Sequence, residues 1–318
     1  MDEQTGWARW LDAEMLQFVA TCARLDADAG EPADPAASRA RYDRLCAAFR
    51  APRPEGVSVD DMAVATAWGA VPVRRYRPPH RGPAATLLYV HGGGFVLGGL
   101  DSHDDVCAEL CAGAAIDVVA LQYRLAPEHP YPAALDDVAA VHAAVADHGE
   151  VLVAGDSAGG NLAAALCRRL RRQGAPQPLG QVLIYPMLGA APQVAPGSRA
   201  ANAPLLNAAD CIAFAQFYAG TASPSPAADP EYAPLAAAVF GHLAPAAIFA
   251  SGFDPLRQDA ADYAAALHAA GVPVAYREDP GLVHGWLRAR HRASLADRAF
   301  TALLQAVSDL AAGRLRPA

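Results

Sequence analysis

From about Pro83 onward the chain alternates short apolar runs with stretches of helical period, a pattern that few folds can accept. The apolar runs are Thr86–Val90, Val118–Gln122, Val151–Ala154, Val182–Tyr185, Ala246–Ala250 and Pro273–Tyr276. Helical periodicity falls between them at 102–114, 133–147, 158–173, 257–270 and 292–311. Runs this short and this apolar read as strands buried on both faces. Their alternation with helices predicts a mostly parallel sheet covered on each side. Residues 57–77 add two strands turning near Gly69, which brings the expected sheet to about eight strands. At 318 residues the chain suits one elaborated α/β domain.

Two segments lie outside this rhythm. Residues 5–29 place Trp7, Trp10, Leu11, Met15, Phe18, Cys22 and Leu25 on one helical face. Asp34 before Pro35 reads as an N-cap and first helical residue, and Tyr42, Leu45, Cys46 and Phe49 continue that second helix. A breaker-rich linker, residues 51–56, follows. Periodicity alone leaves two readings open: surface helices packed on the core, or a lid. The other segment, 187–245, is rich in proline and alanine and holds one helical stretch near 208–219. A connection this long is usually functional, and a second piece of lid is expected.

Chemistry concentrates at Gly155-Asp156-Ser157-Ala158-Gly159-Gly160, between a predicted strand and a predicted helix. A serine on a sharp strand-to-helix turn is lifted above the sheet, and small neighbours let the backbone cross itself closely. The helix N-terminus points free amides at any negative charge that develops there. A phosphate-binding turn would want a lysine, and the chain has none. That absence also excludes Schiff-base chemistry. His91-Gly92-Gly93-Gly94-Phe95 follows the strand ending at Val90, and three glycines leave their amides unscreened. Each donor aimed at an oxyanion contributes about 10²- to 10³-fold in rate.

A serine hydroxyl needs a base, and the base needs a carboxylate to orient it. Of ten histidines, His284 stands in a loop after the last predicted strand, while His268 and His291 read as surface positions. Asp254 follows the penultimate strand, at the carboxyl edge where open parallel sheets gather their functional groups. Asp259, Asp262 and Asp279 are the alternatives, the first two on a helix flank. The order Ser157, Asp254, His284 is that of the α/β hydrolases.

Taken together, these motifs resemble the hormone-sensitive-lipase-like family, the bacterial family IV esterases, over residues 86–290. Tyr123-Arg124-Leu125-Ala126-Pro127-Glu128-His129-Pro130-Tyr131-Pro132 and Tyr185-Pro186 are similar to further segments of that family. The resemblance implies an α/β-hydrolase fold with Ser157, Asp254 and His284 as the triad. It implies the amides of Gly93, Gly94 and Ala158 as the oxyanion hole. It also implies a helical cap over residues 1–50, a catalytic domain over 51–318, and 187–245 as a second cap segment. Gln122 and Gln258 stand where the family often has aspartate, and neither position carries a catalytic role.

The activity so implied is hydrolysis of short- to medium-chain acyl esters through an acyl-enzyme, with no metal or organic cofactor. A deacetylase, thioesterase or amidase would use the same triad. A non-catalytic small-molecule receptor of this fold typically lacks a triad member, and here all three candidates are present. The net charge of −8 argues against nucleic acid or an anionic membrane as partner. A small acyl ester is the expected partner, and a homodimer is compatible with the sequence. The acidic start Met1-Asp2-Glu3-Gln4 does not resemble a secretory signal, and no apolar run is long enough to span a bilayer. None of the six cysteines forms a Cys-x-x-Cys pair, so reduced thiols and a cytoplasmic location are expected. Cys107 and Cys111, one helical turn apart, are not expected to hold a metal. Arg168-Arg169-Leu170-Arg171-Arg172 reads as a solvated helix end.

Overall fold

A computed structural model describes residues 7, 9–29, 34–80, 82, 84–221 and 225–315. The expected helix start at residue 5 and the acidic Met1–Gln4 segment lie outside them. Two helices open the described chain, α1 (Ala13–Ala29) and α2 (Pro35–Phe49). The Asp34 carboxylate caps α2 by accepting from the Ala37 amide at 2.8 Å, with Pro35 in the first turn as expected. Then follow β1 (Ser58–Thr66), β2 (Gly69–Arg77), β3 (Ala85–Val90), α3 (Asp104–Ala114), β4 (Asp117–Leu121), α4 (Ala133–Ala146) and β5 (Glu150–Asp156). The second half holds α5 (Ala158–Gln173), β6 (Gln181–Ile184), α6 (Ala208–Ala219), β7 (Ala246–Phe253), α7 (Arg257–Ala269), β8 (Val274–Val283) and α8 (Ser294–Ala311).

Among the described residues eight strands form one sheet in the order β1-β2-β4-β3-β5-β6-β7-β8. The first two strands pair antiparallel with each other, and β2 pairs antiparallel with β4. Every later pairing is parallel. This is the expected α/β-hydrolase architecture. Strand alternation builds a core on each face. Leu88, Val90, Val151 and Val153 pack with α4, α5 and α7 on one side. Leu87, Tyr89, Leu152 and Ala154 pack with α3, α8 and the N-terminal helices on the other. Both faces being apolar is why these strands showed as unbroken apolar runs.

Register places the carboxyl ends of the central strands level. Val90 lies opposite Gly155, and Asp156 opposite Ile184. The nucleophile-type turn and the glycine loop therefore leave the sheet side by side. The crossing is tight: a Cβ at Gly159 would run into the carbonyl oxygens of Val90 and His91.

Two expectations are corrected. The last strand does not stop near Tyr276 but runs to Val283, so His284 follows it directly with no intervening loop. Its polar stretch, Arg277-Glu278-Asp279-Pro280-Gly281, is tolerated because β8 is the sheet edge, where one side needs no partner. The arginine run of α5 is solvated only at Arg172. Arg168 is buried, donating to Val239 O at 2.6 Å and Pro234 O at 3.0 Å, with Phe240 beneath its guanidinium. Arg169 and Arg172 both reach Glu231, and Arg171 reaches Gly241 O. These side chains fasten 231–241 to the body through carbonyls and a carboxylate some 60 to 70 residues away that no local pattern encodes.

Among the described residues no helix is long and apolar enough to cross a membrane. Replacing Gly159 by alanine forces a methyl group into the β3 carbonyls. Urea unfolding of Gly159→Ala is expected to show a loss of about 1–3 kcal/mol, and a variant as stable as the parent would disprove the contact.

Candidate active site

Ser157 takes φ 53°, ψ −117°, a left-handed conformation that costs a non-glycine residue. The surroundings hold it there. Its amide donates to Ile184 O at 2.8 Å, and its carbonyl accepts from Met187 N at 3.2 Å. Gly155, Gly159 and Gly160 each abut backbone or proline where a side chain would collide.

The three expected side chains converge. Ser157 Oγ lies 2.9 Å from His284 Nε2, and His284 Nδ1 lies 2.7 Å from Asp254 Oδ2. Asp254 is fully buried, and its other oxygen accepts from the Leu256 amide at 2.8 Å. A carboxylate only accepts, so the imidazole proton belongs on Nδ1 and Nε2 is left to accept from the serine. Tyr185 flanks the imidazole, ring centroids 4.6 Å apart. The alternatives are placed elsewhere. Asp259 lies on α7, as expected, and is buried there, accepting from the Leu188 and Gly189 amides that follow β6. Burial pushes its carboxyl up to about 6, against those two amides, which lower it. Asp262 holds Gln258, and Asp279 holds Arg277. His268 and His291 are exposed, as expected.

Gly93 (φ 124°) and Gly94 (φ 61°) line the same cavity as Ser157 and His284, a space of about 570 Å³. Positive φ angles of this kind favour glycine, and a Cβ at Gly94 would strike the Phe214 ring. Ala158 opens α5 directly after the serine, where a helix leaves its first amides unpaired. Trp7, Phe18, Val19 and Leu45 contribute to the cavity from the N-terminal side, and Leu205, Leu206 and Phe214 from the 187–245 segment.

Sequence reasoning missed what lies underneath. Asp156, inside the motif but given no role, is a buried carboxylate that accepts from Tyr89 hydroxyl and the Gly92 amide, both at 2.9 Å. His103 Nε2 stands 3.3 Å from it. Although burial opposes it, the facing His103 and the Tyr89 hydroxyl hold this carboxyl well below the usual range. One side chain thus ties the residue before the serine to the start of the glycine loop. His91 stacks on Tyr123, centroids 4.2 Å apart, and its Nδ1 lies 2.9 Å from Gly92 O. Burial, reinforced by nearby His103, pulls its imidazole down to about 3. Gln122 keeps the next turn, accepting from the Leu100 amide at 3.2 Å. A local signal for this support existed only in the motif letters. The partners come from β3, α3 and β4.

A strained serine, an imidazole and a carboxylate stand in hydrogen-bonded series beside glycine backbone, an arrangement suited to acyl transfer. Comparison with known proteins agrees. Residues 87–288 match the family model described as the alpha/beta hydrolase fold. The carboxylic ester hydrolase LipN of Mycobacterium tuberculosis (strain ATCC 25618 / H37Rv) is 40% identical over 267 residues, covering 80% of this chain and 70% of that protein. The ethyl acetate hydrolase of Pseudomonas putida is 35% identical over 285 residues, 86% and 89% of the two chains. Among solved structures, the hyperthermophilic esterase of the archaeon Pyrobaculum calidifontis superposes with a TM-score of 0.84 at 30% identity, covering 95% of this chain and 99% of that one. The chain belongs to the hormone-sensitive-lipase-like family of the α/β-hydrolase superfamily.

The depressed His91 imidazole has a pH signature. Between its folded value of about 3 and its unfolded value of 6.5, the unfolded chain holds a proton that the folded chain does not. Stability therefore rises with pH across that window and is lost on acidification. His91→Asn removes the titration. Its unfolding free energy, measured in urea from pH 6 to 4, is expected to fall less steeply than the parent's by about 1 kcal/mol per pH unit. Parallel slopes would show that the imidazole is not held neutral.

Proposed function

We propose that this carboxylic ester hydrolase works through Ser157 as nucleophile, His284 as general base and acid, and Asp254 as the group that orients the imidazole. The observation that carries the reading is the unbroken series Ser157–His284–Asp254, with separations of 2.9 and 2.7 Å. The hydrolase class itself rests on the family and on the esterase relatives.

In the first half-reaction Ser157 Oγ bonds to the ester carbonyl carbon as its proton passes to His284 Nε2. Negative charge gathers on the carbonyl oxygen, and the amides of Gly93, Gly94 and Ala158 are assigned to receive it. Being backbone, they need no rearrangement as the charge develops. Asp254 faces Nδ1 of the imidazolium so formed. The carbonyl re-forms, the bond to the alcohol oxygen breaks, and His284 hands that oxygen its proton. Water then repeats the sequence, giving up a proton to His284 and releasing the acid with Ser157 restored. Asp156 acts at one remove, as a positioning residue for the glycine loop.

The helices of residues 1–50 and the 187–245 segment are read as a cap, supported by their shares of the cavity wall. An apolar chamber of about 570 Å³ suits short to medium acyl chains, which is the size class we assign. A small acyl ester is accordingly the partner proposed. A cytoplasmic location is supported by six buried free thiols, which a reducing compartment preserves.

Ser157→Ala and His284→Ala are each expected to reduce kcat on a p-nitrophenyl ester by about 10⁴-fold or more. Either variant keeping parental turnover would overturn the assignment. Stoichiometric labelling of the parent by a fluorophosphonate, absent in Ser157→Ala, provides the matching chemical test.

A further inference from the structure

The cavity wall is largely apolar, yet it contains one cation among the described residues, Arg288. This arginine sits on the 3-10 turn Trp286–Ala289, just after His284. Its Nε donates to Cys46 Sγ at 3.3 Å and its Nη2 donates to the Tyr42 hydroxyl. The Tyr42 ring centroid lies 4.8 Å from its Cζ. Nη1 makes no hydrogen bond to a described residue. It lies over Gly285, where an added Cβ would stand 3.0 Å from it.

Two residues further on, Arg290 is neutralised by Asp105 and Glu109. Arg288 has no hydrogen-bonded carboxylate among the described residues, although the buried Asp156 carboxylate is near enough to feel its charge. The other charged groups in the cavity wall are Asp156 and Asp26. Asp156 spends its oxygens on Tyr89, Gly92, His103 and Tyr185. Asp26 accepts from Arg41 at 2.5 Å. Asp156 offsets the Arg288 guanidinium only at a distance, and a ligand carboxylate bonded to it directly would offset it further. The free donors of Arg288 are both hydrogens of Nη1 and one of Nη2, the edge that grips a carboxylate with two parallel bonds. Tyr42 accepts from Nη2, and its hydroxyl proton, which Cys46 also receives, can turn to the same anion.

We propose that Arg288 and Tyr42 form a carboxylate-binding subsite beside the triad, so that the favoured substrates are esters carrying a free carboxylate on their acyl or alcohol part. The inference rests on the ester-hydrolase reading and adds the substrate's charge. Arg288 touches no reacting atom; it determines specificity. With monoethyl glutarate, Ser157 Oγ bonds to the ester carbonyl carbon and the bond to the ethoxy oxygen breaks. Ethanol leaves with the proton from His284. Water then cleaves the acyl-enzyme, giving glutarate and one released proton that a pH-stat records.

The test compares substrates matched in length. Monoethyl glutarate is set against ethyl pentanoate for the acyl arm, and 4-acetoxybutanoate against pentyl acetate for the alcohol arm. Charge-assisted bonds of this kind are expected to favour the anionic member of one pair by about 10- to 100-fold in kcat/KM. In Arg288→Gln that ratio should collapse towards one, mainly through KM. Arg288→Lys should retain part of it, since it keeps the charge and loses the fork. A merely structural arginine would leave the ratio unmoved. Should Arg288→Gln fail to fold, the parent still decides: glutarate must inhibit ethyl pentanoate hydrolysis competitively and glutaramide must not. No anionic preference in either arm, or a preference that survives Arg288→Gln, overturns the subsite. A parent that reacts with neither the neutral esters nor the fluorophosphonate would show instead that the hydrolase reading had failed. Calorimetric binding of glutarate to Ser157→Ala, lost in Ser157→Ala/Arg288→Gln, then tests the subsite without turnover.

Discussion

Everything at the carboxyl edge of the sheet hangs on the backbone crossing between residues 155 and 160. The turn from β5 into α5 is so close to β3 that no side chain fits at Gly159. That closeness does two things at once. It forces Ser157 into its left-handed conformation, with the hydroxyl raised toward His284. It also sets the end of β3, and so Gly93 and Gly94, against the same turn. The serine and the glycine loop are thus placed by one packing contact. Strain of this kind persists only where the surroundings over-determine it, and here Ile184 O and Met187 N grip the serine's backbone from either side.

Beneath that crossing, buried charge is handled in three different ways. Asp156 is surrounded by donors from β3 and α3, so it stays a strong acceptor and acts as a strut. Asp254 keeps one oxygen for the Leu256 amide and gives the other to the imidazole. Asp259 is buried among fewer donors, with one oxygen unpartnered, and burial raises its carboxyl. Three aspartates close to one strand edge thereby differ by environment alone. Their partners, not their residue type, decide which one can serve the histidine.

The parts of this arrangement that were legible in the sequence are those set by local rules. Doubly buried strands announce themselves as apolar runs, and the α5 and α4 boundaries followed from periodicity. Asp34-Pro35 marked a helix start because capping is a matter of neighbouring residues. Ser157 stood out because the turn tolerates only small flanking residues. The end of β8 was not legible, since Arg277-Glu278-Asp279-Pro280-Gly281 has the composition of a turn. Only its place at the sheet edge, with Gly252 packed against Pro280, makes it a strand. The α5 arginines misled for a related reason. Half of their acceptors are backbone carbonyls of 234–241, and a carbonyl leaves no trace in a sequence. Arg288 and Asp156 belong to the same category, their surroundings assembled from separate elements.

The lack of lysine gives the cavity walls a particular character. Every side-chain cation is an arginine or a histidine, and arginine can bond several acceptors in one plane. Arg39 on α2 uses this to hold Val96 O, Ala126 O and Glu128 together. At the next turns of the same helix, Tyr42 and Cys46 meet Arg288. The wall formed by α2 is therefore fixed by directional bonds. The wall formed by α6 is held differently: Tyr218 stacks on Phe95 with centroids 3.7 Å apart, while Ile212 and Phe217 face outward. Apolar contacts set volume and accept many shapes, whereas directional donors discriminate. One side of the chamber is thus set by apolar packing. The other side places the Arg288 guanidinium, with no hydrogen-bonded carboxylate among the described residues, on the turn just after the histidine.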